Sequence, residues 1–178
     1  MNKNDMNKWC VAIVGMNATG KSNFGKSLAS KLSLNRIDSD SEFRKKYGDI
    51  KKYIDENGFD SYRALEEKII VESLRLGNVV VLSGGSIESE KIRSALKHAS
   101  VIWIQAGKKR VVRNIKEAKS PRYEFSEGSP DEVAKSLIEK RNDLYKEVSD
   151  IVIREGTPYS KYCSTAIAEL KKYYSGHA

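Results

Sequence analysis

Short runs of β-branched residues alternate along the chain with longer segments that mix apolar and charged positions. Three of the runs are continuous, as expected of parallel strands buried on both faces. The pattern predicts strands at residues 9–14, 35–38, 79–82, 101–105 and 151–154, and helices at residues 21–33, 60–76, 88–98, 108–118, 131–147 and 158–173. Regular alternation of strands and helices predicts an α/β fold in three layers, a five-stranded parallel sheet flanked by helices, with ligands bound at the carboxyl ends of the strands.

The length and composition predict one globular domain spanning residues 1–178. With 39% hydrophobic and 31% charged residues, the chain is long enough to bury a substantial core. No apolar stretch approaches the roughly 18 residues of a membrane span, so no membrane partner is expected. The polar segment 1–8 lacks the apolar core of a signal peptide. Cys10 and Cys163 form no metal motif and are expected to be buried thiols of a reducing cytoplasm.

The formal net charge is +8, from 32 Lys and Arg against 24 Asp and Glu. A basic surface is one signature of nucleic-acid binding. Here, however, the lysines are spread along predicted helices rather than gathered with aromatic residues, and pairs such as Lys45-Lys46 are typical of solvated helix faces. Because a basic balance also suits an enzyme with anionic ligands, we expect no nucleic-acid partner.

Residues 15–22 follow directly on the first predicted strand and have the spacing G-x-x-x-x-G-K-S of a phosphate-binding P-loop. Glycines let the backbone turn its N–H groups toward phosphate oxygens, and the next helix adds the positive end of its dipole. We expect Lys21 to reach the β- and γ-phosphates of ATP and the Ser22 hydroxyl to ligate Mg²⁺. The alternative is a glycine-rich turn that carries Lys-Ser by chance. The predicted nucleotide contacts are Gly15, Asn17, Ala18, Thr19, Gly20, Lys21, Ser22 and Asn23.

A carboxylate outside the P-loop is expected to help hold the metal. P-loop enzymes commonly place this carboxylate at the end of another hydrophobic strand, but the strand at 79–82 is followed by Ser-Gly-Gly-Ser without an acid. Asp38 and Asp40, at the end of the strand at 35–38, fit instead, one near the metal and one accepting a proton from a hydroxyl. The alternative is that Asp40 caps a helix beginning near Ser41, a role that leaves Asp38 unexplained.

Residues 118–130 lack periodicity and mix Pro, Gly, Arg and aromatic residues. In a phosphotransferase such a segment is a candidate lid, which excludes water and delivers an arginine to the transferred phosphate. The alternative is a plain mobile connection between two helices.

These motifs, in this order, resemble those of the shikimate kinase family, small members of the nucleoside-monophosphate-kinase-like P-loop kinases. The resemblance covers about residues 9–154 and includes the P-loop and the Asp38-x-Asp40 pair. The sequence Tyr-Arg-Ala-Leu-Glu at 62–66 is similar to the family's F-R-x-x-E, and Gly-Gly-Ser at 84–86 stands where the family usually has three glycines. Arg-Asn-Asp-Leu-Tyr at 141–145 matches its R-x-x-x-Y. The resemblance implies a P-loop kinase fold with a lid at about 119–130 and a substrate-binding helical segment at about 40–76.

The reaction that the resemblance implies is transfer of the γ-phosphoryl group of ATP to the 3-hydroxyl of shikimate, in the biosynthesis of aromatic amino acids. Asp38 is then expected to hold Mg²⁺ through water. Asp40 is expected to bind the substrate hydroxyls and to orient or deprotonate the nucleophile. Arg63 and Arg141 are expected to clamp the substrate carboxylate, which suits a planar guanidinium. Glu66 is placed one helical turn from Arg63, close enough to orient it.

Further roles follow from the same resemblance. Gly84 and Gly85 are expected to offer backbone N–H groups to the substrate. Lys21 and Arg122 are expected to act on the transferred phosphate, and Arg113 is placed roughly where the family packs an arginine on the adenine base.

Three positions depart from the family's pattern. Tyr62 replaces a phenylalanine and adds a hydroxyl near the predicted substrate pocket. Ser86 replaces the third glycine, which is expected to restrict the backbone there. In the lid, Arg122 follows Pro121, whereas the family's arginine precedes its proline. These departures leave two alternatives to a monomeric shikimate kinase: a kinase for another hydroxy acid such as quinate or gluconate, and a non-catalytic regulator that binds the nucleotide or the acid.

Overall fold

Five parallel strands form one sheet in the computed structural model, which describes residues 8–117 and 128–176. The strands are β1 (Cys10–Val14), β2 (Asn35–Asp38), β3 (Asn78–Val81), β4 (Ser100–Ile104) and β5 (Ile151–Ile153). Their order in the sheet is β2-β3-β1-β4-β5, and every neighbouring pair is parallel. All five strands predicted from the sequence are confirmed, with ends that differ by one residue at most.

The described residues form eight α-helices and two short 3-10 turns. The helices are α1 (Lys21–Leu32), α2 (Ser39–Tyr47), α3 (Ile50–Asn57), α4 (Phe59–Ser73), α5 (Glu90–Leu96), α6 (Lys108–Lys116), α7 (Pro130–Val148) and α8 (Tyr162–Gly176). The 3-10 turns are Ser86–Glu88 and Tyr159–Lys161. They replace the first turns of two predicted helices, those at 88–98 and 158–173. At the first of these, Ser89 has extended backbone angles and its hydroxyl caps α5, so the helix begins later than predicted.

Two hydrophobic layers cover the two faces of the sheet, because side chains alternate along each strand. On one face, Val11 and Ile13 of β1 belong to a cluster with buried residues of α1 and α8. On the other face, Ala12 and Val14 belong to a cluster with α4, α5, α6 and α7. The predicted three-layer α/β arrangement is therefore confirmed.

A third, smaller cluster joins the helices that lie between β2 and β3. Phe43 of α2 packs edge-on against Tyr62 of α4, with ring centroids 4.9 Å apart, and Ile54 of α3 belongs to the same cluster. The sequence pattern had indicated a helix near Ser41 but not the extent of α2, and it did not predict α3. Each of these helices buries few apolar side chains, and each begins at an aspartate cap, Asp38 and Asp49.

Candidate active site

The P-loop lies between β1 and α1, as predicted. Gly15 and Gly20 have φ values of +140° and +89°, which favour glycine. A Cβ atom built on Gly15 would also lie 3.4 Å from the carbonyl carbon of Ile104 and still closer to its oxygen. Gly20 is the N-cap of α1 and offers no side-chain hydrogen bond, so the first N–H groups of this helix keep their capacity to bind an anion.

Lys21 is folded back over the P-loop. Its Nζ donates to the carbonyl oxygens of Gly15 at 2.8 Å and Met16 at 2.7 Å, and the residue is 7% exposed. The Thr19 hydroxyl also donates to Met16 O, at 2.9 Å. The lysine charge is therefore held at the loop, where phosphate groups are expected to bind.

Asp38 has two roles, one of which the sequence interpretation had considered only for Asp40. Its Oδ1 accepts from the backbone N–H and the hydroxyl of Ser41, both at 3.2 Å, so Asp38 is the N-cap of α2. The alternative that Asp40 is this cap is wrong, since Asp40 lies inside the first turn of the helix. At the same time Asp38 Oδ2 accepts from Ser22 Oγ at 2.8 Å and from Arg36 Nη2 at 2.9 Å.

The residues around Asp38 fit a magnesium site. Ser22 Oγ and Asp38 Oδ2 are oxygen atoms beside the P-loop, and Mg²⁺ prefers oxygen ligands. In the described part of the chain, no group of three or more His, Cys, Asp and Glu residues is placed to hold a metal ion. A site with few protein ligands is typical of Mg²⁺ that is bound together with nucleotide phosphates.

One cleft of about 350 Å³ brings together much of the predicted site. It is lined by residues of three segments: the P-loop and start of α1, the end of β2 with the start of α2, and the end of β3. Its lining residues are Asn17, Ala18, Gly20, Lys21, Ser22, Asn23, Asp38, Ser39, Asp40, Val81, Leu82 and Ser83. Asp38 and Asp40 thus share the cleft with the P-loop, whereas the sequence reasoning had not identified Ser83.

A buried carboxylate organises the start of α4. Glu66 is 2% exposed, and its Oε1 accepts from the Tyr62 and Ser83 hydroxyls, both at 2.6 Å. Its Oε2 accepts from Arg63 Nη1 at 2.5 Å, and the Arg63 guanidinium lies 4.7 Å from the centre of the Phe59 ring. Burial and the nearby Glu66 charge raise the pKa of Tyr62, so the Tyr62 hydroxyl stays protonated and serves as a donor. Glu66 therefore orients Arg63, as the spacing had predicted.

Gly84 links the end of β3 to the P-loop. Its N–H donates to Asn17 Oδ1 at 3.1 Å, and its carbonyl accepts from the Tyr145 hydroxyl at 2.7 Å. Gly85 has φ −87°, and Ser86 lies in the 3-10 turn that follows. Because neither residue needs a positive φ, serine is accommodated in place of the family's third glycine without backbone strain.

Arg141 is 1% exposed and is paired with an acid that the sequence reasoning had missed. Its Nε donates to Glu88 Oε1 at 2.7 Å, while Lys140 Nζ lies 2.5 Å from Glu88 Oε2. Partial burial raises the pKa of Glu88, but the hydrogen bonds from Lys140 and Arg141 outweigh this and hold it below its usual value. Glu88 is therefore a carboxylate anion at neutral pH and compensates part of the Arg141 charge.

Helix α6 faces the P-loop through residues other than Arg113. Arg110 Nη2 donates to Thr19 O at 2.9 Å, and Asn114 Nδ2 donates to Asn17 O at 3.2 Å. These two residues are four positions apart and so share a helix face, whereas Arg113 is exposed. Arg122, predicted to act from the lid, lies outside the described residues, as does most of the predicted lid.

No helix in the described ranges, 8–117 and 128–176, is long and apolar enough to cross a membrane.

Comparison with known proteins identifies the family. The sequence profile of the family described as shikimate kinase matches residues 17–171. The chain is 32% identical over 164 residues to shikimate kinase 1 of Citrobacter koseri, covering 90% of this chain and 94% of that protein. Shikimate kinase from Acinetobacter baumannii in complex with shikimate has a similar structure, with a TM-score of 0.84, 23% identity and coverage of 98% of both chains. Shikimate kinase from Aquifex aeolicus has a TM-score of 0.80 at 22% identity, covering 92% of this chain and 97% of that one.

The two structural likenesses support the same fold, and the family profile and the Citrobacter relative each cover most of this chain. The resemblance seen in the sequence motifs is confirmed: the chain belongs to the shikimate kinase family of ATP-dependent phosphotransferases.

Proposed function

We propose that this chain phosphorylates the 3-hydroxyl of shikimate with ATP and Mg²⁺, as a monomeric cytoplasmic enzyme of one domain without nucleic-acid or membrane partners. The observation that carries the proposal is the common cleft, in which the P-loop, the Ser22–Asp38 contact and Asp40 face one another. Membership of the shikimate kinase family supports the choice of shikimate as acceptor.

The P-loop half of the cleft binds the donor. Residues 15–23 and the N-terminus of α1 hold the polyphosphate, and Lys21 exchanges the carbonyl oxygens of Gly15 and Met16 for phosphate oxygens. Ser22 and Asp38 hold Mg²⁺, Asp38 through water. The bound metal supplies charge neutralisation on the phosphates. On α6, Arg110 and Asn114 contact backbone carbonyls of the P-loop and support the loop, and Arg113 is assigned to the adenine base.

The other half of the cleft binds the acceptor. Asp40 lines the cleft together with Asp38, and its carboxylate can act as a general base. Asp40 therefore takes the proton of the attacking hydroxyl or orients that hydroxyl toward the γ-phosphorus. Arg63 and Arg141 bind the acid's carboxylate, and both are pre-oriented by buried or half-buried glutamates, Glu66 and Glu88. Neither arginine is among the residues that line the cleft, and their assignment to the carboxylate rests on the family's motifs.

Backbone and lid residues complete the proposed site. The N–H groups of Gly84 and Gly85 contact the acceptor once it binds. Arg122 approaches the transferred phosphate from the lid and stabilises its developing charge.

A coupled assay of ADP release tests the proposal. With Mg²⁺ and ATP present, we expect turnover that depends on shikimate and is far slower with quinate, gluconate or no acceptor. Turnover with gluconate or quinate but not with shikimate would contradict the assigned acceptor. Nucleotide binding without turnover on any acceptor would favour the non-catalytic regulator instead.

A further inference from the structure

Arg36 and Asp38 lie two positions apart on β2, an edge strand of the sheet, so both side chains lie on the same face of the strand. Arg36 Nη2 is 2.9 Å from Asp38 Oδ2. The Arg36 side chain is 32% exposed, whereas that of Asp38 is 8% exposed. A partly solvated, permanently charged guanidinium is thus attached to the carboxylate assigned to the metal.

The two oxygens of Asp38 have different partners. Oδ1 is taken up by the N-cap contacts with Ser41, which fix the orientation of the carboxylate. Oδ2 is the oxygen that points toward the P-loop, where it accepts from Ser22 at 2.8 Å. The same oxygen accepts from Arg36, so a protein cation and the predicted metal-binding hydroxyl converge on one atom.

We propose that Arg36 sets the Mg²⁺ affinity of the nucleotide-bound protein by competing for Asp38 Oδ2. The inference rests on the proposed function, in which Ser22 and Asp38 face the metal. Arg36 is a positioning residue in this role: it lies outside the residues that line the cleft and acts on the metal through Asp38.

Electrostatics gives the direction of the effect. Arg36 compensates part of the Asp38 charge, which weakens the attraction of the carboxylate for a second cation, and it repels that cation directly. Because Arg36 is partly exposed, water and salt screen this repulsion, and the effect is expected to shrink as the ionic strength rises. Removal of the charge is therefore expected to tighten Mg²⁺ binding.

The test is isothermal titration calorimetry, in which MgCl₂ is titrated into the full chain saturated with ADP. We expect Arg36→Gln to lower the apparent Kd for Mg²⁺ by about threefold to tenfold at low salt. Arg36→Lys keeps the charge and is expected to remain close to the unsubstituted protein. Arg75→Gln is the matched control, since Arg75 is exposed just before β3, at the amino ends of the strands and so opposite to the cleft.

The outcomes separate this inference from the proposed function. Unchanged or weaker Mg²⁺ binding in Arg36→Gln would overturn the inference, as would equal tightening in Arg75→Gln, which would indicate a general effect of net charge. In both cases shikimate-dependent turnover by the unsubstituted protein would still stand. If Mg²⁺ does not bind the unsubstituted ADP complex at all, the metal role of Asp38 and the inference fall together.

Discussion

The N–H of Gly84 donates to the side-chain oxygen of Asn17, with 3.1 Å between the two atoms. This bond joins the segment after β3 to the P-loop, two regions that are 67 positions apart in the sequence. The contact leaves no room for a side chain: a Cβ on Gly84 would lie 2.8 Å from Asn17 Cγ and closer still to Oδ1.

Gly84→Ala is therefore expected to displace Asn17 and distort the P-loop. We expect kcat/KM for ATP to fall by roughly tenfold to a hundredfold, about 1.4 to 3 kcal/mol of transition-state stabilisation. Steady-state kinetics with saturating shikimate measures this. In a double-mutant cycle, Asn17→Ala with Gly84→Ala should lose less than the sum of the two single changes. Additive losses would contradict a clash with the Asn17 side chain as the cause.

Arg141→Ala is expected to raise the KM for shikimate by at least about tenfold, since the lost interaction is a charge-assisted one, while the KM for ATP changes little. Lys140→Ala is the matched control, because Lys140 is the other cation on Glu88 but its side chain is 61% exposed. Equal effects of Arg141→Ala on both KM values would count against a carboxylate clamp.

Strands β1, β3 and β4 were predictable from the sequence because their residues are nearly all apolar and buried, whereas β2 has exposed Asn35 and Arg36 and was inferred from its place in the alternation of strands and helices. The P-loop was predictable because its chemistry is local: a strand, a fixed spacing of glycines and a helix start. By contrast, α3 is only eight residues long, so its one apolar face of Ile50, Tyr53 and Ile54 spans about a single turn and is too short to distinguish from chance.

Other site residues were missed because their partners are distant in sequence. Glu88 pairs with Arg141 over 53 positions, Ser83 with Glu66 over 17, and Arg110 with Thr19 over 91. Only the tertiary fold brings such pairs together, and a single acid or arginine on a helix gives no local signal of its partner. For Arg110, the one available signal was its position one turn before Arg113 on the same predicted helix.

Glu66→Gln tests the buried network under Arg63. The substitution removes the charge that orients Arg63, so we expect a rise in the KM for shikimate of roughly three- to tenfold with little change in the KM for ATP. Glu67→Gln is the control: Glu67 is the next residue and pairs instead with Ser89 and Lys91. A larger effect of Glu67→Gln than of Glu66→Gln would refute the assignment.

Cys10 is expected to make the fold sensitive to alkaline pH. Burial raises the pKa of its thiol from 9.0 to about 11. Because the folded state has the higher pKa, the contribution to stability is complete below pH 9.0 and is lost as the pH rises toward 11. The loss is up to about 3 kcal/mol. Denaturant unfolding between pH 8 and 11 should show a shallower decline for Cys10→Ala than for the unsubstituted protein.

Cys163 is the comparison: burial raises the pKa of its thiol as well, but this residue is only half-buried, so Cys163→Ala should retain most of the decline. Buried Tyr62 also has a raised pKa, but its contribution is common to all three proteins and cancels in the comparison of slopes. Parallel declines for all three proteins would show that titration of Cys10 does not cause the loss of stability in this pH range.

The substitution Asp40→Asn tests whether Asp40 is the general base, as distinct from Asp38, which is assigned to the metal. An amide cannot accept the hydroxyl proton but is close in shape to a carboxylate, so we expect kcat to fall by about 10² to 10⁴ while shikimate still binds. Glu42→Gln is the matched control, since Glu42 lies in the first turn of the same helix and pairs with the exposed Lys45. Rapid-quench measurement of the first turnover should show that the chemical step is the one that becomes slower. If kcat is essentially unchanged, proton transfer belongs to another group and Asp40 only shapes the acceptor half of the cleft.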